Sequence, residues 1–301
     1  MRSVLIIGKN GQVSTYLQAE LKDYYSMLVA GRELIDLSKT DQIQNALTAL
    51  QPSLIINPAA YTAVDLAENE PELAFRINRD AVAEIADYSK ANNVPLIHFS
   101  TDYVFAGDAD QPYTETDSPA PTGVYGQSKL AGELALLQSG APALILRTSW
   151  VYSNQGKNFY NTMLALAESR NELSVVADQI GAPTYAGSIA SVCKSLLDVI
   201  SQQRTIEPSQ LGVYHFSCGG QTSWAEFARA LFAANKVDTM TVNSIPSSEY
   251  PTPAKRPAYS VLDNSKLQSV FNLSLPDWRD GLASCVAQTS EMRNSEQSEQ
   301  A

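Results

Sequence analysis

The chain has 301 residues, 44% of them hydrophobic and 18% charged, enough for one large α/β domain or two smaller ones with a sizeable core. A net charge of −11 at pH 7 argues against nucleic acid as the main partner. It leaves room for an anionic small molecule, because a few local Lys and Arg can overrule the global field.

Val4-Leu5-Ile6-Ile7 is a continuous apolar run, the pattern of a parallel strand buried on both faces, and it is too short for a signal-peptide core. Gly8-Lys9-Asn10-Gly11 follows, and then a helical pattern with Leu17 and Leu21 on one face. Strand, glycine turn and helix in that order make a nucleotide-binding crevice, with helix N-terminal amides aimed at a pyrophosphate. The third glycine of the usual motif is replaced by Ser14, which is still small. Gly8, Gly11, Gln12 and Val13 are therefore cofactor candidates. A second strand near Met27 to Ala30 ends in Gly31-Arg32-Glu33, with Asp36 and Leu37 shortly after. At this strand end an acid binds the adenosine ribose, whereas an arginine accommodates a 2′-phosphate. Arg32 stands first, which favours NADPH with NADH left open; a solvent-facing loop arginine is the other reading.

A helix beginning at Asp41 carries Ile43, Ala46, Leu47 and Leu50 and leads to a third strand, Leu54-Ile55-Ile56-Asn57. Pro58-Ala59-Ala60-Tyr61-Thr62 comes next, and small residues just after a strand end let a cofactor approach the backbone. A long helix is expected from Pro71 to about Asn92. The fourth strand, Pro95 to Ser100, delivers Thr101-Asp102-Tyr103 to its C-terminal end, where open parallel sheets bind ligands. After an irregular loop from Gly107 to Gly123 comes Tyr125-Gly126-Gln127-Ser128-Lys129. A Tyr and a Lys four apart share one helix face, and the ammonium can favour a phenolate whose reference pKa is about 10. Hydroxyl, phenol and ammonium at Thr101, Tyr125 and Lys129 suit proton delivery to a carbonyl oxygen, with the Tyr125 pKa expected to be lowered.

The fifth strand is Ala143 to Arg147, and past Tyr152 the regular alternation loosens. The expected architecture is α/β: a doubly wound Rossmann-type parallel sheet over 1–152 and a smaller C-terminal α/β substrate domain over 153–290. Parts of the second unit are expected to return to the first sheet, and 291–301 to be a disordered tail. Later elements are a helix over about 158–169, strands at Leu173–Val176 and Val213–Phe216, and a helix over about 186–202. Ser223-Trp224-Ala225-Glu226 reads as a capping box and Asp277 as the cap of a last helix. A proline-rich loop, 246–257, carries Lys255 and Arg256, which either clamp an anion or are solvated connector charges. Cys193, Cys218 and Cys285 form no Cys-x-x-Cys, and His98 and His215 sit inside apolar runs, so no metal site is visible. No stretch approaches the roughly 18 apolar residues of a membrane span. A soluble, cytoplasmic protein is expected.

These pieces resemble the extended short-chain dehydrogenase/reductases and, within them, the dTDP-4-dehydrorhamnose reductases. The narrower likeness rests on Ser100-Thr101-Asp102-Tyr103-Val104-Phe105, on Asp178-Gln179-Ile180-Gly181-Ala182-Pro183-Thr184 and on Tyr250-Pro251-Thr252-Pro253-Ala254. The resemblance implies reduction of the C4 ketone of dTDP-4-dehydro-L-rhamnose, the last step of dTDP-rhamnose synthesis, with a surface polysaccharide as the sugar's destination. It implies Tyr125 as proton donor, Lys129 as its partner at the nicotinamide ribose, and Thr101 at the substrate's C4 oxygen. Asp102 and Tyr103 would lie at the sugar, Trp150 against its deoxy face and Arg256 at the substrate phosphate. Gly11, Gln12 and Val13 would lie under the pyrophosphate, and Ala60, Tyr61 and Thr62 on the nicotinamide side. Some members use magnesium at a subunit interface and form homodimers, but no acidic cluster assigns such a site here. Another dTDP-4-keto-6-deoxyhexose reductase and a catalytically silent nucleotide-binding regulatory subunit are the alternatives that the sequence leaves open.

Overall fold

The computed structural model describes residues 3–203 and 205–299, with backbone alone from 292 onward. Its first half runs β1 (Ser3–Ile7), α1 (Gln12–Leu21), β2 (Ser26–Ala30), α2 (Thr40–Leu50), β3 (Leu54–Asn57), α3 (Val64–Ala67), α4 (Pro71–Phe75), α5 (Ala81–Asn92), β4 (Leu96–Thr101), α6 (Val124–Ser139) and β5 (Ala143–Thr148). The second half adds β6 (Val151–Tyr152), α7 (Phe159–Ala167), β7 (Glu172–Val176), β8 (Ile180–Gly181), β9 (Thr184–Tyr185), α8 (Ala186–Gln203), β10 (Gly212–His215), β11 (Thr222–Ser223), α9 (Trp224–Ala234), β12 (Thr241–Ile245), α10 (Ser265–Phe271) and α11 (Trp278–Glu299).

Six strands form one sheet in the order β10-β5-β4-β3-β1-β2, and every neighbouring pair is parallel. Parallel strands must be covered on both faces, which is why these runs read as unbroken apolar stretches. Consecutive residues of β1 accordingly split between two cores. Val4 and Ile6 pack with α1, α8 and the C-terminal elements, while Leu5 and Ile7 pack with α2 and α5. The chain leaves β1 for β2 on one side and returns to β3 on the other, so a crevice opens beyond their carboxyl ends.

β10 returns to the sheet beside β5, and α8 packs on α1. The core that covers one sheet face extends without a break into Phe227 and Leu231 of α9 and Trp278 and Leu282 of α11. Several local features differ from the sequence reading. The helix expected over 71–92 contains a π turn at Arg76–Asp80, a one-residue widening that no hydrophobic period records. The strand β12, which pairs with β7 in parallel, is half exposed and carries no apolar run to announce it. The tail expected to be disordered continues α11 as far as Glu299, since nothing beyond Gly281 breaks a helix; Gln300 and Ala301 lie outside the described residues. Ser223 caps α9 by accepting from the Glu226 N–H at 3.1 Å, and Glu226 turns its carboxylate to Arg229 instead of closing the box.

Among the described residues, one ion pair is fully enclosed, between α6 and β5. Arg147 donates from Nε and Nη2 to the Glu133 carboxylate, the shorter contact being 2.6 Å, and its guanidinium lies 5.0 Å from the Phe105 ring. Removing one charge from such a pair leaves the other unpaired in a dry site. Glu133→Gln is therefore expected to lose about 3–5 kcal/mol of stability, read as a lower urea midpoint at an unchanged slope.

Candidate active site

The carboxyl ends of β1, β3, β4 and β5 open into one cleft of about 930 Å³. Its walls include Gly8, Gly11, Gln12, Val13, Arg32, Asp36, Leu37, Ala60, Tyr61, Thr62, Thr101, Asp102, Tyr103, Tyr125, Lys129 and Trp150. Every site residue expected from the sequence lies there except Arg256.

At one end, Gly8 turns the chain with φ +96°, and its N–H donates to the Ala30 carbonyl at 2.8 Å. A Cβ on Gly8 would approach Ala59 to 2.8 Å, so both the dihedral and the space require glycine. Gly11 precedes α1 without a side-chain cap, and the first turn of α1 holds no acidic residue, so its amides are left for an anion. Arg32 also borders a side pocket of about 210 Å³ shared with Asp36 and Lys39. Hydrogen bonds from Ser38 hold the Asp36 carboxyl below the usual range, and Lys39 stands 3.9 Å from it.

The other end holds the reacting groups. Thr101 follows the buried run of β4, and its Oγ1 accepts from the Tyr103 N–H at 3.2 Å while donating to Asp102 Oδ1 at 3.0 Å. Its one proton is thus committed to Asp102, and donating to a substrate oxygen requires turning it away. Burial raises the Asp102 carboxyl to about 6, against the opposing pull of bonds from Ser260 and Thr101.

Tyr125 sits on α6, which can come this close to the β4 end only because Gly126 has no side chain: a Cβ there would overlap the Tyr103 carbonyl. Burial drives the Tyr125 phenol well above its ordinary pKa, Thr101 draws it down in part, and the Asp102 charge adds to the rise. The lowered pKa expected from the sequence is thereby corrected. The Lys129 Nζ donates to the Phe99 carbonyl at 2.7 Å and lies 3.3 Å from His98 Nε2. Lys129 is 1% exposed, and burial brings its pKa down to about 8 despite the Glu133 charge.

Several groups at or behind the cleft escaped the sequence reading. Asn78, aimed inward by the π turn, accepts from the Tyr61 N–H at 2.8 Å, donates to the Tyr61 carbonyl at 3.1 Å and reaches Ser128 Oγ at 2.9 Å. It therefore fixes the loop after β3 to α6. Ser100 Oγ and Thr148 Oγ1 are buried and without a hydrogen-bond partner among the described residues, and both residues line the cleft. Trp150 has φ +46° and stacks on Trp224 with ring centroids 3.6 Å apart and planes at 6°. Trp224 was legible only as a helix start, because its partner comes from 74 positions earlier. Arg256 lies outside the cleft wall: its guanidinium donates to Tyr103 Oη at 2.9 Å and to Asp65 at 2.7 Å. A neighbouring carboxylate has taken the charge that the sequence offered to a phosphate.

A parallel sheet with a glycine turn under one crevice, and a Tyr–Lys helix beside a hydroxyl at the same crevice, define a Rossmann-type reductase. The chain belongs to the family described as RmlD substrate binding domain, whose model matches residues 1–291. It is 41% identical over 290 residues to the dTDP-4-dehydrorhamnose reductase of Burkholderia thailandensis, spanning 94% of this chain and 97% of that one. The reductase of the same name from Escherichia coli K12 is 41% identical, spanning 93% and 95%. The crystal structure of the Bacillus anthracis reductase in complex with NADP superposes with a TM-score of 0.88 at 37% identity, covering 95% of this chain and 99% of that one.

The folded-state pKa of Lys129 lies below its unfolded value of 10.5, so the unfolded chain binds more protons between about 8 and 10.5. Stability contributed at this site is lacking below about 8 and rises as pH climbs through that window. Lys129→Met is expected to stabilise the protein at pH 7 by up to a few kcal/mol, on the order set by such a shift. That gain shrinks toward pH 10 in paired thermal melts.

Proposed function

We propose that the chain reduces the C4 ketone of dTDP-4-dehydro-L-rhamnose to dTDP-L-rhamnose, the last step of dTDP-rhamnose synthesis, with NADPH as the preferred cofactor and NADH accepted. The observation that carries this reading is the meeting of Thr101, Tyr125 and Lys129 at the sheet crevice of a chain with such relatives. Residues 1–152 hold mainly the cofactor and 153–290 mainly the sugar, in a cytoplasmic enzyme that acts as a homodimer. No helix among the described residues is long and apolar enough to cross a membrane, and no cluster of three or more metal-ligating side chains occurs among them.

The residues present fit a phosphorylated dinucleotide. The side-chain-free turn at Gly8 and the uncapped amides after Gly11 suit a pyrophosphate above Gln12 and Val13. Arg32, beside Asp36 and Leu37, suits a 2′-phosphate, and Ala60, Tyr61 and Thr62 suit the nicotinamide side. When bound, the reduced cofactor supplies the hydride.

Burial keeps the Tyr125 phenol protonated at working pH, so it is an acid held ready beside the ketone oxygen. The Thr101 hydroxyl, turned from Asp102, supplies a second hydrogen bond where negative charge develops. The Tyr125 proton passes to that oxygen, and Lys129 in its ammonium form balances the phenolate left behind. Asp102 and Tyr103 face the sugar hydroxyls, and the Trp150–Trp224 stack gives the 6-deoxy carbon an apolar wall. Arg256 serves a substrate phosphate only if Asp65 releases it.

Tyr125→Phe is expected to retain folding and NADPH binding while turnover falls about a hundredfold or more, the range of general acid catalysis. Near-normal turnover would remove Tyr125 from the donor role. Arg32→Ala is expected to raise the KM for NADPH roughly tenfold, the worth of one charge-assisted hydrogen bond, with little change for NADH. Steady-state assays with both cofactors check this.

A further inference from the structure

The side chain of Gln12, the first residue of α1, is held by the loop that follows β6. Its Oε1 accepts from Asn158 Nδ2 at 2.8 Å and lies 2.9 Å from Ser153 Oγ, contacts that span 146 and 141 positions of sequence. Ser153 shares its one proton with the Gln155 carbonyl at 2.8 Å, so Asn158 is the group that decides the polarity. Which end of each amide is oxygen follows from groups that act in one direction only. Asn158 Oδ1 accepts from the Asn161 N–H at 3.0 Å, and a backbone N–H only donates. Asn158 Nδ2 faces the carbonyls of Ser153 at 2.8 Å and Gln155 at 3.0 Å, which only accept. The Asn158 amide is thus fixed at both ends, and the Gln12 atom that meets its nitrogen must be oxygen. Among the described residues, the hydrogen bonds of the Gln12 amide fall on Oε1 alone, so Nε2 keeps its protons for the cleft that Gln12 lines. The loop is itself tied down: Asn161 Nδ2 donates to the Ser153 carbonyl at 3.1 Å and to the Gly156 carbonyl at 2.9 Å.

We propose that Asn158 is a positioning residue for the cofactor: by donating to Gln12 Oε1 it fixes the Gln12 amide with its nitrogen toward the pyrophosphate. The proposal rests on the reading of this end of the cleft as a dinucleotide site. An amide free to turn would present its oxygen to the phosphates as readily as its nitrogen, and a carbonyl oxygen meets a phosphate acceptor to acceptor. Asn158 removes that choice before the cofactor arrives, so a preset side-chain donor joins the uncapped backbone amides of α1. The loop 153–158, from the part of the chain assigned mainly to the sugar, thereby becomes part of the cofactor site. β6 leads into this loop directly from Trp150 in the cleft wall.

Calorimetric titration of the full-length protein with NADPH, and with adenosine 2′-monophosphate, which lacks the pyrophosphate, tests this. Asn158→Asp keeps an N-cap for α7 but puts an acceptor against Gln12, so the Gln12 amide turns over. The Kd for NADPH is expected to rise about tenfold, the worth of one charge-assisted hydrogen bond, while the Kd for adenosine 2′-monophosphate stays unchanged. Asn158→Ser, also a good cap and uncharged, is expected to raise the NADPH Kd about threefold, and it serves if Asn158→Asp does not fold. In a Gln12→Ala background the cost of either substitution should fall below about twofold, which separates the relay from a through-space effect of the new charge. An unchanged NADPH Kd in the folded variants, an equal loss for both ligands, or a cost undiminished in Gln12→Ala overturns the proposal. A wild-type protein that binds no NADPH overturns the dinucleotide reading and the proposal with it, an outcome distinct from tight wild-type binding that ignores Asn158.

Discussion

Keeping a lysine nitrogen dry beside a tyrosine is the constraint to which the rest of the cleft answers. Lys129 lies behind the reacting edge of the site, enclosed by β4 and its own helix, with backbone and imidazole nitrogens or oxygens as its company. Enclosure brings the Lys129 pKa down to about 8 and disfavours phenolate at Tyr125, so the phenol keeps its proton. A neutral acid suits delivery of a proton to a ketone. Burial of the phenol itself keeps that donor protonated until the ketone oxygen develops charge.

The scaffold serves this arrangement through close backbone approach. Gly126 lets α6 settle on the chain that leaves β4, and Asn78 ties that helix to the loop leaving β3. The π turn that aims Asn78 interrupts a helix which would otherwise run straight past the site. Behind it, the Glu133–Arg147 pair locks α6 to β5 at a place where no water can substitute for either charge. Three elements are thus fixed to one another within two turns of the reacting residues.

Much of this was legible in the sequence. The β1 run, its glycine turn and the helix after it follow from burial on both sheet faces and from the sterics of Gly8, so Rossmann topology could be read from Val4 to Leu21. Tyr125 and Lys129 were legible because four residues is one helical turn. Helical spacing fixes a shared face but not a rotamer, and so the destination of the lysine nitrogen was hidden. The partner of Arg256 was hidden for a related reason: sequence shows a cation near a proline-rich loop but not the carboxylate of Asp65, 191 positions away, that pairs with it. Trp224 looked like no more than a helix start until tertiary packing gave it a cleft to face.

The stacked indoles of Trp150 and Trp224 join the segment just after β5 to the start of α9 at the cleft wall. Trp150 holds a left-handed backbone to make that stack, a conformation that costs about 1 kcal/mol or more. Two aromatic chromophores 3.6 Å apart are also electronically coupled, so their ultraviolet circular dichroism depends on the angle between the rings. The protein therefore carries an intrinsic optical report on the spacing between these two segments, one that needs no label.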